Sequence, residues 1–524
     1  MTNFSDFWGG ARNKTNSKKK SFKLYIGRFF SIVFGISSTF WQILAKFFKR
    51  IIRLPKVLGR IDKIALLILF VIFFALLGYK INQDYIGRTK VIPASGGTYK
   101  EVLIGEAKYF NPILAKTDTD KVVNRLIYSG LTKIDKNTNL VPDLAKSWEI
   151  SPDGKTYTFR LRTDVSWHDG NQFTSADVVS TIEAIKDQNI KSPYFEAWKD
   201  VNVEAPDGET VIFGLNNPYG PFLYNTNVGI IPAHIDPNTI SASPVGTGPF
   251  KFLKVVSDKN NKIQEVIIDR SDLYYDQKPH IEKVDFQVAN DESEAMELFL
   301  SRSISAIAGV KVEKEGVANY SFPTSRYFGL VFNLRDDRFK DENLRKKISA
   351  GEKFEPEFEF KLLIMDKPLV ISAAGSLKES YSKQGIKITI DKKSAIDFQH
   401  LIEKKNFQAV LYGFDSGYDR DPYPFWHSSQ AALGSNLSGF SDKSADILLE
   451  DARMTADAAV RNQKYDQFFA LINEKVPTIF LPPQDFNFSV KDVIKDVDAI
   501  KGFEPQDHLN SLADWYIKTK RVKP

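Results

Sequence analysis

The chain lacks cysteine altogether, and histidine is scarce. None of its 524 residues is cysteine and only 6 are histidine. Without cysteine, disulfides, thiolate nucleophiles and cysteine-rich metal sites are excluded. There is also no acceptor thiol for a lipoprotein anchor, for palmitoylation or for prenylation. Any attachment to a membrane must therefore come from the polypeptide itself.

Acidic residues are almost absent from the first part of the chain. Residues 1–63 hold 14 Lys and Arg against two Asp, a charge of +12, so the remaining residues carry −6 of the total of +6. The basic pI of about 8.9 therefore does not describe the folded body. A nucleic-acid-binding body, which would need its positive charge on its own surface, loses its support.

An uncharged apolar run follows this basic segment. The run Ile64–Tyr79, extended by Ile61 and Ile81, reaches the roughly 17–20 residues that cross a hydrocarbon core. We predict a transmembrane anchor over 64–81, with the basic segment 1–63 cytoplasmic or interfacial and the following body extracytoplasmic at the plasma membrane. A cleaved signal peptide is the alternative, but the basic segment is far longer than an n-region.

A second apolar stretch precedes the anchor. Residues 24–45 are interrupted by Arg28, Gly35 and a Ser-Ser-Thr run. This pattern favours an interfacial helix over a second crossing, which stays open.

The body beyond a polar linker at 82–96 mixes strand and helix patterns without a repeat. "GKTYTFRLR" alternates apolar and polar residues like a half-buried strand, and "KVDFQVA" predicts another strand. The residues of "SADILLEDARMTADAAVRNQKYDQFFALINEKVP" have a helical pattern that ends at Pro477. This mixture predicts an α/β body, and its length of over 400 residues predicts two lobes.

The stretch "VSWHDGNQFTSADVV" places His168 beside Asp169. Thr174 and Asp177 form a capping box, which predicts that a helix starts there. Asp169 and Gly170 mark a turn before it. No second histidine or glutamate stands at metal-ligand spacing, and no G-x-S-x-G element occurs. We therefore predict a structural corner in which both side chains bond local backbone; a hydrolase using this pair is the alternative.

A longer pattern surrounds this corner. The run Leu140–Ile185 contains P-x-L-A-x-S-W, then S-x-D-G-x-x-Y-x-F-x-L-R, then V-x-W-x-D-G-x-x-F-x-x-x-D-V. It resembles the signature region of family 5 solute-binding proteins, the dipeptide- and oligopeptide-binding components of ABC transporters. "SPVGTGPFKF" and "YDRDPYPFWHSSQ" resemble further elements of that family. The resemblance covers roughly residues 95–520.

The resemblance implies a fold and a function. The fold is a two-lobed α/β body of the periplasmic-binding-protein type (type II, peptide-binding cluster), here behind an N-terminal transmembrane helix. Lobe I would cover 95–288 and a return at 482–524, and lobe II would cover 289–481. The protein would capture peptides between the lobes and deliver them to an ABC transporter permease, without bond chemistry, cofactor or nucleic acid.

The resemblance also indicates where the ligand binds. In peptide-binding members a carboxylate three residues before the D-P pair holds the α-ammonium group, but Tyr418 stands there in this chain. Asp415 or Asp419 could supply the charge instead. The aromatic residues of the segment "YDRDPYPFWHSSQ" either line the cleft or fill the core, and the sequence leaves both alternatives open. The predicted ligand-binding residues are Asp415, Tyr418, Asp419, Tyr423, Trp426 and Phe110, and no metal site is predicted.

Two departures leave the ligand open. Tyr418 would also suit a non-peptide ligand such as a nickel chelate, haem or an oligosaccharide. "AGEKFEPEFEFKLLIMDKPLV" follows "NLRKKIS" almost directly. Compared with the family this predicts a shortened lobe II, with reduced or open pockets for the far end of a ligand. A peptide sensor or chaperone that works without a permease is a further alternative.

Overall fold

The computed structural model describes residue 46 and residues 59–301, 303–483 and 485–523. These fall into two compact units, one reaching Val91 with the extreme C-terminus, the other running from Ile92 to Lys520. The helices are α1 Arg60–Gly87, α2 Asp118–Ile127, α3 Ser175–Lys186, α4 Phe195–Trp198, α5 Phe222–Asn225, α6 Glu292–Leu300, α7 Glu342–Ala350, α8 Pro368–Ser382, α9 Ala395–Glu403, α10 Tyr423–Trp426, α11 Lys443–Met454 and α12 Ala458–Lys475.

The strands follow the same order of the chain. They are β1 Lys90–Ala94, β2 Thr98–Ile104, β3 Thr132–Ile134, β4 Leu140–Pro142, β5 Ala145–Ile150, β6 Thr156–Leu161, β7 Asn202–Asp207, β8 Thr210–Gly214, β9 Phe250–Ser257, β10 Ile263–Arg270, β11 Lys283–Ala289, β12 Ala306–Ala308, β13 Val317–Pro323, β14 Arg326–Phe332, β15 Phe358–Met365, β16 Ile386–Lys393, β17 Ala409–Asp415, β18 Thr478–Phe480, β19 Asp485–Lys491 and β20 Lys518–Val522.

Helix α1 contains the apolar run predicted to span a membrane. Its 28 residues are long and apolar enough to cross, a test that a signal sequence near the N-terminus would also pass. The side chains from Ile64 to Ile81 are almost all exposed in the unit itself. The helix continues past residue 81 to Gly87, so the first part of the predicted linker 82–96 is helical. The predicted interfacial helix 24–45 lies outside the described residues.

A seven-stranded mixed sheet forms one part of the body. Its order is β13-β19-β12-β2-β11-β10-β9, with β2 parallel to both β11 and β12. On one face, Val102 and Ile307 pack with Phe299 of α6. On the other face, Tyr99 and Phe286 join a large core. That core also contains the four-stranded antiparallel sheet β5-β6-β8-β7.

A five-stranded sheet forms the other part. Its order is β16-β15-β17-β14-β18, and β15 runs parallel to both of its neighbours. Alternate residues of β17 point to opposite faces, as the two-residue period of a strand requires. Leu411 packs with helix α8 in one core, whereas Val410 and Phe414 join the core formed with α11 and α12.

The chain passes between the two sheets twice. β13 ends at Pro323 in the seven-stranded sheet and β14 begins at Arg326 in the five-stranded sheet. β18 ends at Phe480 in the five-stranded sheet, and β19 begins at Asp485 back in the other. Two short connections therefore join the two α/β parts.

Several sequence predictions of local structure are confirmed. The helix predicted after Thr174 begins at Ser175, and the Asp177 carboxylate accepts a hydrogen bond from the Thr174 N–H at 2.8 Å. "KVDFQVA" is strand β11. The long helical pattern ending at Pro477 is two helices, α11 and α12, because the chain turns between Met454 and Ala458.

Candidate functional site

A cavity of about 640 Å³ takes its wall from both α/β parts. One side is formed by α2, the segment 193–198 and the segment 219–229. The opposite side is formed by residues 415–425 after strand β17, with Arg453. Glu504 and Gln506, from the segment that returns to the first part, close one end. A ligand in this cavity would contact both α/β parts of the body at once.

Tyr418, one of the predicted ligand-binding residues, lies on this wall. Its hydroxyl donates to Asp507 Oδ1 at 2.9 Å and accepts from Gln506 Nε2 at 3.1 Å. Its ring stacks on Tyr224 at 6.4 Å between centroids and 10° between planes. Burial, with Asp507 beside the hydroxyl, raises the pKa of Tyr418 well above its usual value. Tyr418 is therefore a neutral, fixed contact between the two walls.

Asp415 also lies on the wall and shares one cation with other carboxylates. Arg326 Nε donates to Asp415 Oδ2 at 3.2 Å, and Nη2 donates to Glu504 Oε2 at 3.1 Å. Both terminal nitrogens of Arg326 donate to Asp118 at 2.7 Å. Lys121 Nζ lies 3.9 Å from Glu504. Three carboxylates therefore face one guanidinium and one more distant ammonium.

The excess of carboxylates over cations in this group affects the pKa of each carboxyl. Burial raises the pKa of Glu504 to about 7, and the neighbouring Asp415 adds to the rise. Burial alone would also raise the pKa of Asp415, but Arg326 and Lys121 outweigh it and lower the pKa. The Asp415 side chain keeps 44% of its surface exposed. It is thus an ionised carboxylate that a ligand can reach.

Asp419 lines the cavity but has a partner of its own. Its Oδ1 accepts from Arg461 Nε at 2.9 Å, and its Oδ2 accepts from the Tyr465 hydroxyl at 2.9 Å. The side chains of Asp419 and Arg461 are only 8% and 2% exposed. Asp421 is likewise paired with Arg453 at 2.7 Å. These two carboxylates are neutralised inside the protein.

Three predicted ligand-binding residues do not line this cavity. Trp426 is buried and stacks on Phe414 at 5.6 Å in the core beside the five-stranded sheet. Phe110 is buried in the core of the first part. Tyr423 stacks on His427 at 4.2 Å, with the Arg453 guanidinium 3.8 Å from its ring centroid. The packing gives each of these aromatic side chains a structural partner.

His168 and Asp169 do not bond each other. His168 Nε2 donates to Gly248 O at 3.0 Å and Nδ1 accepts from Gly246 N at 3.3 Å, so the ring holds backbone about 80 residues away. The prediction of a local backbone partner is wrong for His168, because the Gly-Thr-Gly-Pro segment packs against the corner. For Asp169 it is confirmed, since its Oδ1 accepts from Asn171 N at 3.1 Å. Burial lowers the pKa of His168 to about 4, which keeps the ring neutral.

Sequence reasoning missed the contribution of α2. Lys121, Asn124 and Arg125 all line the cavity, the last two lying one helical turn after Lys121. In the sequence these polar residues alternate with apolar ones at helical spacing, a pattern that also fits an ordinary surface helix. Only the tertiary fold shows that this polar face borders the cavity.

Metal binding has little support in the part of the chain that the structure describes. No group of three or more His, Cys, Asp or Glu side chains there is arranged to hold a metal ion. His427, the histidine nearest the D-P segment, bonds Ser429 through Nδ1 at 2.7 Å and Glu450 through Nε2 at 3.2 Å.

Comparison with known proteins agrees with this architecture. Residues 139–351 match the family model described as bacterial extracellular solute-binding proteins, family 5 Middle. The oligopeptide-binding protein AppA of Bacillus subtilis is 23% identical over 86% of this chain and 97% of AppA.

Solved structures show the same fold. The structure of AppA from Bacillus subtilis in complex with a nonapeptide has a TM-score of 0.64 at 20% identity, over 82% of this chain and 100% of that chain. NikZ from Campylobacter jejuni in complex with Ni(L-His) has a TM-score of 0.65 at 26% identity, over 80% and 99% of the two chains. The predicted resemblance is therefore confirmed: residues 139–351 match the family 5 bacterial extracellular solute-binding proteins, and the chain has the two-lobed α/β fold of periplasmic binding proteins.

Proposed function

We propose that this protein captures peptides in the cavity between its two lobes and delivers them to an ABC transporter permease. The observation that carries the proposal is the cavity itself, whose wall takes residues from both α/β parts. Its volume of about 640 Å³ is in the range of small-molecule sites. Relatives named as oligopeptide- and dipeptide-binding proteins support the ligand class.

The lobes are proposed to be the bodies around the two sheets. Strands β12 and β13 both belong to the seven-stranded sheet of the first lobe. This favours a first boundary between the lobes after Pro323 rather than at residue 289. The second boundary lies between Phe480 and Asp485, close to the predicted residue 482. Rotation about these two connections would open the cavity, and a guest touching both walls would favour the closed form.

Asp415 is the proposed partner for a ligand ammonium group. Its carboxylate is ionised and exposed to a ligand, and it shares the guanidinium of Arg326 with two other carboxylates. Asp419 is a weaker choice because Arg461 and Tyr465 occupy both of its oxygens. Tyr418 is proposed to contact the ligand through its ring face, since its hydroxyl already has two partners.

Helix α1 is proposed to anchor the body outside the plasma membrane. A 28-residue helix spans about 42 Å, which exceeds a hydrocarbon core of about 30 Å. The basic residues that precede it favour a cytoplasmic N-terminus. Intact-mass measurement of protein from the membrane fraction tests this: retention of residues 1–81 supports an anchor, and a mature N-terminus beyond residue 81 supports a cleaved signal.

A non-peptide ligand is the second candidate. The NikZ structure, which contains Ni(L-His), is 26% identical to this chain. Native mass spectrometry of the purified full chain separates the two, because a nickel chelate and a peptide differ in mass and isotope pattern. A co-purified nickel complex would overturn the peptide proposal.

The binding experiment uses the full chain in detergent. We expect a mixture of tri- to pentapeptides to raise its thermal unfolding temperature, and Asp415→Asn to weaken peptide binding about tenfold or more, in line with a lost charge-assisted hydrogen bond. Asp466→Asn on α12, outside the cavity wall, is the matched control. Absence of any peptide-dependent shift in the folded protein would count against the proposal.

A further inference from the structure

A second cavity, of about 390 Å³, lies where the chain passes between the two sheets. It is lined by Pro323, Thr324 and Ser325 of the first connection and by Leu481 and Pro483 of the second. Its volume is at the lower end of the range of small-molecule sites. We call it the hinge cavity, and we call the larger cavity of the candidate functional site the interlobe cavity.

Four aromatic side chains form much of the wall of the hinge cavity. They belong to Tyr327 of β14, Phe469 of α12, Phe480 of β18 and Phe503. The Phe480 ring meets the Tyr327 ring edge to face at 5.4 Å and the Phe469 ring at 5.9 Å between centroids. All four side chains are only half-buried. A concave group of partly exposed aromatic rings is typical of a site for an apolar or aromatic group.

Arg420 brings a positive charge to this aromatic wall. Among the described residues that line the hinge cavity, it alone is charged. Its side chain is exposed, and its guanidinium forms no ion pair with a carboxylate of the described ranges. The acidic residues on either side of it are already paired, Asp419 with Arg461 and Asp421 with Arg453. The guanidinium of Arg420 is therefore available to an anion.

The segment after β17 contributes to both cavities. Tyr418 and Asp419 line the interlobe cavity, Arg420 lines the hinge cavity, and Ser416 lines both. The φ of Arg420 is +62°, in the left-handed region that residues other than glycine rarely adopt. Side chains held in such conformations cluster at ligand sites. One short segment thus connects the wall of one cavity with the only charge of the other among the described residues.

We propose that the hinge cavity binds a small aromatic carboxylate, with its ring against the aromatic wall and its carboxylate on Arg420. A planar guanidinium can donate two parallel hydrogen bonds to one carboxylate, and aromatic rings pack against one another with a defined geometry. The occupant contacts both connections between the lobes, so it stabilises the arrangement in which residues of both lobes also line the interlobe cavity. Binding at the two cavities is therefore coupled. This coupling rests on the proposed function, whereas the hinge site itself does not.

The test titrates the full chain in lipid nanodiscs with 3-phenylpropionate and with its neutral amide, 3-phenylpropanamide. Empty nanodiscs are the blank. Calorimetry should show saturable binding of the acid and at least tenfold weaker binding of the amide, because the amide lacks the charge that Arg420 binds. A saturating mixture of tri- to pentapeptides should raise the affinity for the acid. Displacement of the acid by the peptides would place it in the interlobe cavity and overturn the inference.

Substitutions locate the site. Arg420→Gln should weaken binding of the acid at least tenfold and leave binding of the amide unchanged, a pattern that a general structural defect would not produce. Phe503→Ala should weaken both compounds severalfold, because it removes an aromatic ring from the wall. The matched control is Arg160→Gln on β6, which should bind the acid as the wild type does. Arg160 is also exposed, donates to Thr210 Oγ1 at 2.7 Å and does not line the hinge cavity.

The outcomes separate the hinge site from the proposed function. If the folded protein does not bind the acid, binds acid and amide equally, or binds the acid equally well after Arg420→Gln, the inference is overturned whatever the peptides do. If no peptide binds, the proposed function fails, and the acid titrations still decide the hinge site. Binding of the acid at Arg420 with peptide affinity unchanged would overturn the coupling. Should Arg420→Gln not fold, the comparison of acid and amide and the peptide competition on the wild-type protein decide the point.

Discussion

Arg326→Gln should destabilise the protein strongly at alkaline pH and less at acidic pH. The substitution removes the guanidinium that bonds Asp118 at 2.7 Å, Glu504 at 3.1 Å and Asp415 at 3.2 Å. Three carboxylates would then face only Lys121, which lies 3.9 Å from Glu504. Glutamine is two atoms shorter, and its neutral amide offers two N–H donors where the guanidinium offers five, so the substitution removes the charge and most of the hydrogen bonds.

The magnitude follows from burial. Removing one partner of a fully buried pair costs about 3–5 kcal/mol. Asp118 and Asp415 keep 43% and 44% of their side chains exposed, so solvent screens part of the interaction. We therefore expect a loss of about 3 kcal/mol at pH 8. With about 2–4 °C per kcal/mol for a lobe of this size, the unfolding temperature should fall by about 6–12 °C.

The pH dependence has a definite sign. The pKa of Glu504 rises from 4.5 to about 7 on folding, so the folded protein binds this proton more tightly than the unfolded chain. The corresponding stability is present at acidic pH and is lost as the pH rises from about 4.5 through 7. Without Arg326 the pKa of Glu504 rises further. Protonation at pH 5.5 then removes one of the three negative charges, and the penalty should fall to about 1–2 kcal/mol.

Scanning calorimetry of the full chain at pH 5.5, 7 and 8 measures this difference. Arg338→Gln is the control, since its guanidinium bonds Asp336 at 3.2 Å on the surface and is 45% exposed. The control should change the unfolding temperature by no more than about 2 °C. A penalty for Arg326→Gln that is equal at all three pH values, or no larger than that of the control, would refute the reasoning.

Four further substitutions test the packing of the body. His168→Gln should remove part of the protein's sensitivity to acid. The pKa of His168 falls from 6.5 to about 4 on folding, so the stability that the neutral ring contributes is lost as the pH drops below about 6.5. Denaturation curves of the wild-type protein should show this loss as about 2 kcal/mol at pH 5, and those of the variant should not. Gly246→Ala should cost more than about 2 kcal/mol, because a Cβ would overlap the Ile127 carbonyl oxygen, whereas Gly375→Ala in an open position of α8 should stabilise by up to about 1 kcal/mol. Trp426→Ala should cost about 3–5 kcal/mol in thermal unfolding while leaving peptide affinity within threefold in the folded fraction, since Trp426 packs in the core; a tenfold loss of affinity would place it in the site.

The sequence predicted those parts of the fold that depend on local patterns. Alternating residues predicted β6, and the Thr174 capping box predicted the start of α3. The α/β two-lobed class followed from the mixture of these patterns and from the resemblance. Such features depend on a few neighbouring residues, so one sequence suffices to find them.

The site was harder to predict because its partners are distant in sequence. Asp415, Tyr418 and Asp419 were predicted to bind the ligand, and the structure has all three on the cavity wall. Nothing local indicated that Arg461 neutralises Asp419 or that Arg326 joins three carboxylates. The aromatic residues of the D-P segment could have lined a cleft or filled a core, and only packing separates those cases. Trp426 packs against Phe414, which the sequence pattern alone does not show.

Hydrogen-exchange mass spectrometry of the full chain, with and without a peptide mixture, tests the central claim most directly. Capture between the lobes predicts simultaneous protection of residues 118–131 and residues 415–425, with the peptides recovered at unchanged mass. Protection of only one of these walls, no ligand-dependent protection in the folded protein, or recovery of cleaved peptides would contradict it.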